Sequence, residues 1–223
     1  MTDFSSSNLI LSQQEMEPPG RLAWLVFRSL ARFWAAIFLP YFRFWGENEF
    51  APGTVIISRN FGLQTWVYIL RFFKKPVRIV LADDEDNLKW FNIAKNGGLA
   101  PILLRGKISH KLEVIKELSD KGEIVFLIIP PGIGGYTPAF MQELEKLIEE
   151  KIRLFVIEGA MEALPQGNLI PKFASICVFC GRPYFNRLPS EGLLDEIAFL
   201  ESTLYNLEID EEPSFFRNNR RNQ

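Results

Sequence analysis

The chain has 223 residues, 48% of them apolar, with 25 basic against 27 acidic side chains and a formal charge of -2. That composition excludes intrinsic disorder, and without a basic excess there is no domain-wide electrostatic grip on nucleic acid. A chain of this length buries roughly 70% of its unfolded surface, so it needs neither disulfide nor metal to fold.

Residues 1–19 open with Met1-Thr-Asp-Phe-Ser-Ser-Ser, an acid without a base, and continue through the polar Gln13-Gln14-Glu15. They read as a flexible N-terminal segment with no secretory leader, which places the protein in a reducing cytosol. Residues 20–46 change character, because Arg21, Arg28, Arg32 and Arg43 are the only charges among Trp24, Phe27, Phe33, Trp34, Phe38, Tyr41, Phe42, Phe44 and Trp45. On a helix at about 100° per residue, Arg21, Arg28 and Arg32 fall within an arc of about 40°, with Phe27, Leu30, Trp34, Ile37 and Phe38 opposite. The longest uncharged run, Phe33 to Phe42, is ten residues and contains Pro40. About 20 are needed to cross a bilayer, so this region is expected to be an amphipathic helix lying in a headgroup layer. Arg21, Trp24, Arg28, Arg32 and Trp34 are its expected membrane contacts. The competing reading is a helix docked on the domain core with its arginines in water.

From residue 47 to 208 the period shifts to short β-branched runs alternating with longer amphipathic stretches, the rhythm of βαβ units. Strands are predicted near 54–58, 77–82, 100–105, 124–129, 153–158 and 174–180. Helices are predicted at 108–120, stopped by Gly122, at 138–151 and near 190–207. The run Arg71-Phe-Phe-Lys-Lys-Pro-Val-Arg78 reads as a cationic helix end with core phenylalanines, or as a second contact for anionic headgroups or an acidic carrier protein. Asp83-Asp-Glu-Asp86 reads as a solvated helix start. Cys177 and Cys180 form a C-x-x-C, but within a strand residues three apart face opposite sides, so they are expected to be ordinary buried thiols. With one histidine in the chain, no metal site is expected. Residues 209–223 form a polar tail.

Continuous apolar strands such as Ile124 to Ile129 imply burial on both faces. The predicted fold class is therefore α/β, a mostly parallel central sheet flanked by helices on both sides, with the amphipathic helix at its N-terminus. Ligands in such a layout sit beyond the carboxyl ends of the strands. Four segments stand there: Arg59 to Trp66, Arg105 to His110, Pro130 to Tyr136 and Glu158 to Leu164.

In order and spacing these segments resemble the glycerolipid acyltransferase family, enzymes that acylate lysophosphatidic acid and other lysophospholipids. The resemblance covers about residues 45 to 186. Ile157-Glu-Gly-Ala-Met-Glu-Ala-Leu-Pro-Gln-Gly-Asn-Leu-Ile-Pro-Lys172, followed by Ile176-Cys-Val-Phe-Cys-Gly-Arg-Pro183, is similar to the family's strand, Leu-Pro-x-Gly loop, Pro-Lys and terminal Gly-x-Pro. Leu103-Leu-Arg-Gly-Lys107 resembles the Ile-Asp-Arg-Gly block, which puts Arg105 on the arginine associated there with the acceptor phosphate. The resemblance implies acyl-CoA or acyl-carrier protein as acyl donor, and no other cofactor.

The two catalytic blocks depart from the family. Its Asn-His-x-x-x-x-Asp corresponds to Asn60-Phe-Gly-Leu-Gln-Thr-Trp66, with Phe61 at the histidine and Trp66 at the aspartate. Its Phe-Pro-Glu-Gly-Thr-Arg corresponds to Ile129-Pro-Pro-Gly-Ile-Gly134, with Pro131 at the glutamate. A hydroxyl attacks a thioester only as a base removes its proton, and loss of that base costs on the order of 10²–10⁴ in rate. His110 and Glu158 are the candidate substitute bases. The glycines of Pro130-Pro-Gly-Ile-Gly-Gly135 leave backbone N–H groups open to an anion, so Gly132 and Gly134, with Arg105 as counter-charge, form the candidate phosphate or lysolipid site. A plain tight loop explains the same glycines. A dinucleotide fingerprint fails at Thr137, where a third glycine is required.

The functional expectation is a pseudo-acyltransferase of phospholipid metabolism, peripheral or monotopic on the cytoplasmic side of a membrane, with no catalytic residue in place. It would bind lysophospholipid, an acyl donor such as acyl-carrier protein, or an active acyltransferase. The alternatives are a working lysophospholipid or glycerol-phosphate acyltransferase with an unorthodox base, and a scaffold for an active relative.

Overall fold

A computed structural model describes residues 18–38, 41–47, 49–59, 63–82, 88–104, 107–129, 138–148, 151–158, 175–182, 197–198 and 200. In chain order the elements are α1 (Arg21–Phe38), β1 (Tyr41–Gly46), β2 (Val55–Arg59), α2 (Leu63–Phe72), β3 (Arg78–Ala82), α3 (Leu88–Asn96), β4 (Ile102–Leu104), α4 (Ile108–Asp120), β5 (Val125–Ile129), α5 (Pro138–Ile148), β6 (Ile152–Glu158) and β7 (Ser175–Gly181).

The strands form one sheet in the order β1-β7-β6-β2-β5-β3-β4. Strands β2 to β6 are mutually parallel, whereas β7 runs antiparallel to β6 and β1 runs parallel to β7. Every residue of Val125–Ile129 is buried, as its unbroken apolar run requires when both sheet faces are covered. One face packs Val114, Ile115 and Leu118 of α4 with Phe140, Met141 and Leu144 of α5. The other packs Trp24, Ala31 and Ala35 of α1 against Trp66, Tyr68 and Ile69 of α2 and Phe91 and Ala94 of α3. Right-handed crossovers produce this division: α2 and α3 follow steps in one direction along the sheet, and α4 and α5 follow the return steps.

Local chemistry sets the boundaries. Helix α4 ends as expected at Gly122, whose φ of 79° suits only glycine, with Gly122 N–H donating to Ser119 O and Glu123 N–H to Leu118 O. Arg78, at the start of β3, is buried; its guanidinium donates to Glu123 Oε2 at 2.8 Å, Glu123 Oε1 at 3.2 Å and Ala100 O at 3.2 Å. It is therefore a structural ion pair at the amino edge of the sheet, not a headgroup contact. A second pair joins Arg153 Nε to Glu47 Oε2 at 2.6 Å.

One expectation in the N-terminal region needs correction. The helical region expected over 20–46 ends at Phe38, and Tyr41–Gly46 is an edge strand paired with β7 from Tyr41–Ser175 to Gly46–Cys180. Its alternating Arg43, Phe44 and Trp45 suit a sheet edge better than a continued helix, and Pro40 lies between the two elements. Cys177 and Cys180 form no disulfide and pack into opposite cores from β7, as strand alternation requires, Cys180 buried as expected and Cys177 only half-buried.

Candidate functional site

The five parallel strands end at one edge, at Arg59, Ala82, Leu104, Ile129 and Glu158. Arg59 and Ile129 are register partners on the central neighbours β2 and β5, and the helices after these two strands cover opposite faces. The chain thus diverges on either side of them, the topological condition for a ligand crevice. The reversed strand β7 begins at the same edge, with Ser175.

Of the expected site residues, Phe61, Arg105, Gly132 and Gly134 lie outside the described residues, and Glu158 is described only as the last residue of β6. That strand adjoins β2, so Glu158 belongs to the central crevice by position. His110 does not. It occupies the first turn of α4, on the face opposite α2, with Nδ1 3.9 Å from Glu113 Oε2 and a side chain 40% exposed. The preceding strand β4 stands three strands from β2, or about 14 Å at ordinary spacing. Among the described residues, no group of three or more His, Cys, Asp or Glu side chains is placed to hold a metal ion.

Trp66 is placed fully by the structure. It stands in the first turns of α2, 4% exposed, in the core shared by α1, α2 and α3. Its indole lines an apolar cavity of about 200 Å³ together with Trp34 and Ala31 of α1, Leu70 of α2 and Ile93 of α3. The indole Nε1 is sealed from solvent and no acceptor reaches it. A carboxylate at this position would lie in hydrocarbon, so Trp66 serves packing here.

Helix α1 departs from the expected amphipathic pattern. Trp24, an expected membrane contact, is buried to 1% exposure, and its Nε1 donates to Phe73 O at 3.4 Å. Trp34 is half-buried against the cavity. Arg21 and Arg32 are exposed and Arg28 half-buried. The outward face carries Leu22, Leu25, Val26, Leu30, Phe33 and Ile37, with Phe33 69% and Leu22 76% exposed. Apolar residues therefore occupy two sides of α1, a small and aromatic side facing the protein and an aliphatic side facing out. The alanines at 31 and 35, one turn apart, were the signal for close packing on the inner side. Gly97 shows how close it is: a Cβ there would come within 2.4 Å of the Phe27 ring. No helix among the described residues is long and apolar enough to cross a membrane.

Arg71 is in the last turn of α2, Phe73 is buried in the core, and Lys74 and Lys75 are exposed.

The fold is that of an acyltransferase-like α/β protein. It is similar to the crystal structure of the 1-acyl-sn-glycerophosphate (LPA) acyltransferase PlsC from Thermotoga maritima, with a TM-score of 0.51 and 11% identity over 81% of this chain and 77% of that one. No protein-family model matches the chain, and no curated protein matches it in sequence.

Proposed function

We propose that this chain is a membrane-surface protein of acyltransferase fold that binds lysophospholipid or an acyl donor without transferring the acyl group. The observation that carries this reading is the burial of Trp66, where the resembling family keeps an aspartate, in an apolar core with no acceptor for its Nε1. An imidazole base depends on a neighbouring carboxylate for its tautomer and for stabilising its charged form. With Phe61 and Trp66 in the two places, neither the base nor its orienting group is supplied there. The expected lysophosphatidate-type ligand follows from the likeness to the LPA acyltransferase. The membrane placement follows from the outward aliphatic face of α1 beside Arg21, Arg28 and Arg32, which suits an anionic headgroup layer on the cytoplasmic side.

One observation favours a second reading. Glu158 ends the strand beside β2, so an active enzyme using it as base is the alternative, and His110, three strands away, is the weaker candidate. The test combines purified protein, vesicles, labelled acyl-CoA or acyl-carrier protein, and a panel of lysophospholipids. Co-sedimentation with anionic vesicles and no acyl transfer is the expected result. Turnover abolished by Glu158→Gln or His110→Ala would overturn it in favour of the enzyme, and absence of both lipid binding and turnover would leave a scaffold for an active acyltransferase.

A further inference from the structure

The flank of α1 away from the cavity carries a second chemical feature. Arg28 and Arg32 are one helical turn apart and so share a side of α1. Arg71, in the last turn of α2, lies close enough to Arg32 to feel its charge. Arg28 Nε is sealed from solvent with no acceptor, although most of such buried donors in folded proteins are bonded. Burial, and then the Arg32 charge, lowers the Arg28 guanidinium from its ordinary range. Arg71 is lowered as well, by burial first, with Tyr68 opposing and Arg32 adding to the effect. Arg32, itself exposed, thus acts on both neighbours, and Arg28 and Arg71 are each half-buried.

We propose that Arg28, Arg32 and Arg71 form a recessed binding site for a phosphate group, set between the middle of α1 and the C-terminal turn of α2. A guanidinium is planar, permanently charged and forked, so it matches phosphate oxygens better than any other side chain does. Helix-dipole complementarity alone accounts for a cation at Arg71, and solvation alone accounts for Arg32. Neither accounts for an Arg28 Nε enclosed beside like charges. A bound phosphate oxygen would accept from that Nε and relieve the mutual repulsion. This site is separate from the strand-end crevice, although its lipid form rests on the membrane-surface reading above.

A phosphate group reaches such a site either on a lipid headgroup or free in solution. Inorganic phosphate followed by thermal shift and calorimetry tests the free form. Phosphatidylcholine vesicles with and without phosphatidic acid, followed by flotation, test the headgroup form. In whichever arm binds, Arg28→Lys keeps the charge but loses the fork, and Arg71→Gln removes a charge from another helix; each is expected to weaken phosphate binding at least about tenfold. Lys116→Gln, an exposed charge on α4 across the sheet, is expected to change it less than about threefold. Thermal unfolding of each variant without phosphate controls for folding. The proposal is overturned if neither arm binds, if Arg28→Lys binds like the parent, or if Lys116→Gln and Arg71→Gln lose affinity equally, since that marks diffuse charge. Flotation that persists without dependence on Arg28 sinks this site and leaves the membrane reading standing, while acyl transfer sinks the non-catalytic reading and leaves this site untouched.

Discussion

Single side chains here report on what surrounds them. Trp66 carries the most weight because, on the proposed reading, it and Phe61 stand where the resembling family keeps its catalytic pair. Restoring both, as Phe61→His with Trp66→Asp, is expected not to restore acyl transfer and to destabilise the protein by about 3–5 kcal/mol, since the new carboxylate would be buried without a partner. Denaturant titration beside the acyl-transfer assay checks both halves. Removing Glu123 exposes the complementary case: Arg78 would keep a buried charge with its two-pronged acceptor gone. Glu123 is itself partly in water, so Glu123→Ala is expected to cost about 2 kcal/mol, or about 4–8 °C in Tm, measured by calorimetry. Cys180 is held as a thiol far above its ordinary titration range, by burial first and then by Glu47, with Arg153 opposing. Only the thiolate attacks an alkylating agent, so at pH 8 the native protein is expected to lose one thiol at most, half-buried Cys177, and both once guanidinium unfolds it. Mass spectrometry after iodoacetamide treatment decides this.

Among the elements, α1 shows most clearly what the sequence discloses and what it hides. The strands of the α/β unit and helices α4 and α5 were readable to within three residues, because β-branched runs such as Val125–Ile129 and the capped helix Ile108–Asp120 carry their signals locally; α2 and α3 had no sequence-derived bounds, and the helix expected near 190–207 lies mostly outside the described residues. The helix at Arg21 was readable as well, but not its orientation. A helix with apolar residues on two sides has no unique inward face, and only the partners at Phe73 and Gly97 decide that Trp24 and Phe27 turn inward while Leu25 and Phe33 turn out. The strand at Tyr41–Gly46 escaped for a similar reason, since its pairing with Ser175–Gly181 is a distant contact with no local signature. Of the candidate site, the strand-end crevice follows from topology that alternation already implied. The arginine trio was invisible because Arg71 meets Arg32 only through the packing of α2 on α1. The two sides of α1 should separate on mutation. Trp24→Ala is expected to cost about 3–5 kcal/mol of stability. On the membrane-surface reading, Leu25→Ser with Phe33→Ser is expected to leave unfolding nearly unchanged while reducing vesicle co-sedimentation at least tenfold, because each would remove roughly 1.5–3 kcal/mol of apolar burial in the lipid interface.

For the whole molecule, the order of the strands bears on how the protein is made. β1 is among the earliest elements synthesised, yet its neighbour in the sheet is β7, the last strand of the described chain. Contacts between such distant stretches form late, since the intervening chain must first be closed into a loop. Until residue 181 has left the ribosome, Tyr41–Gly46 has no edge to join. During that interval the greasy outer stripe of the preceding helix is already exposed to the cell, together with its basic flank. On the membrane-surface reading proposed above, a lipid bilayer near the ribosome is then the first large surface able to receive it, and that encounter falls while translation is still under way. Nascent chains truncated just before Ser175 should float with vesicles in a ribosome-bound state, and flotation that begins only with full-length chains would contradict this order of events.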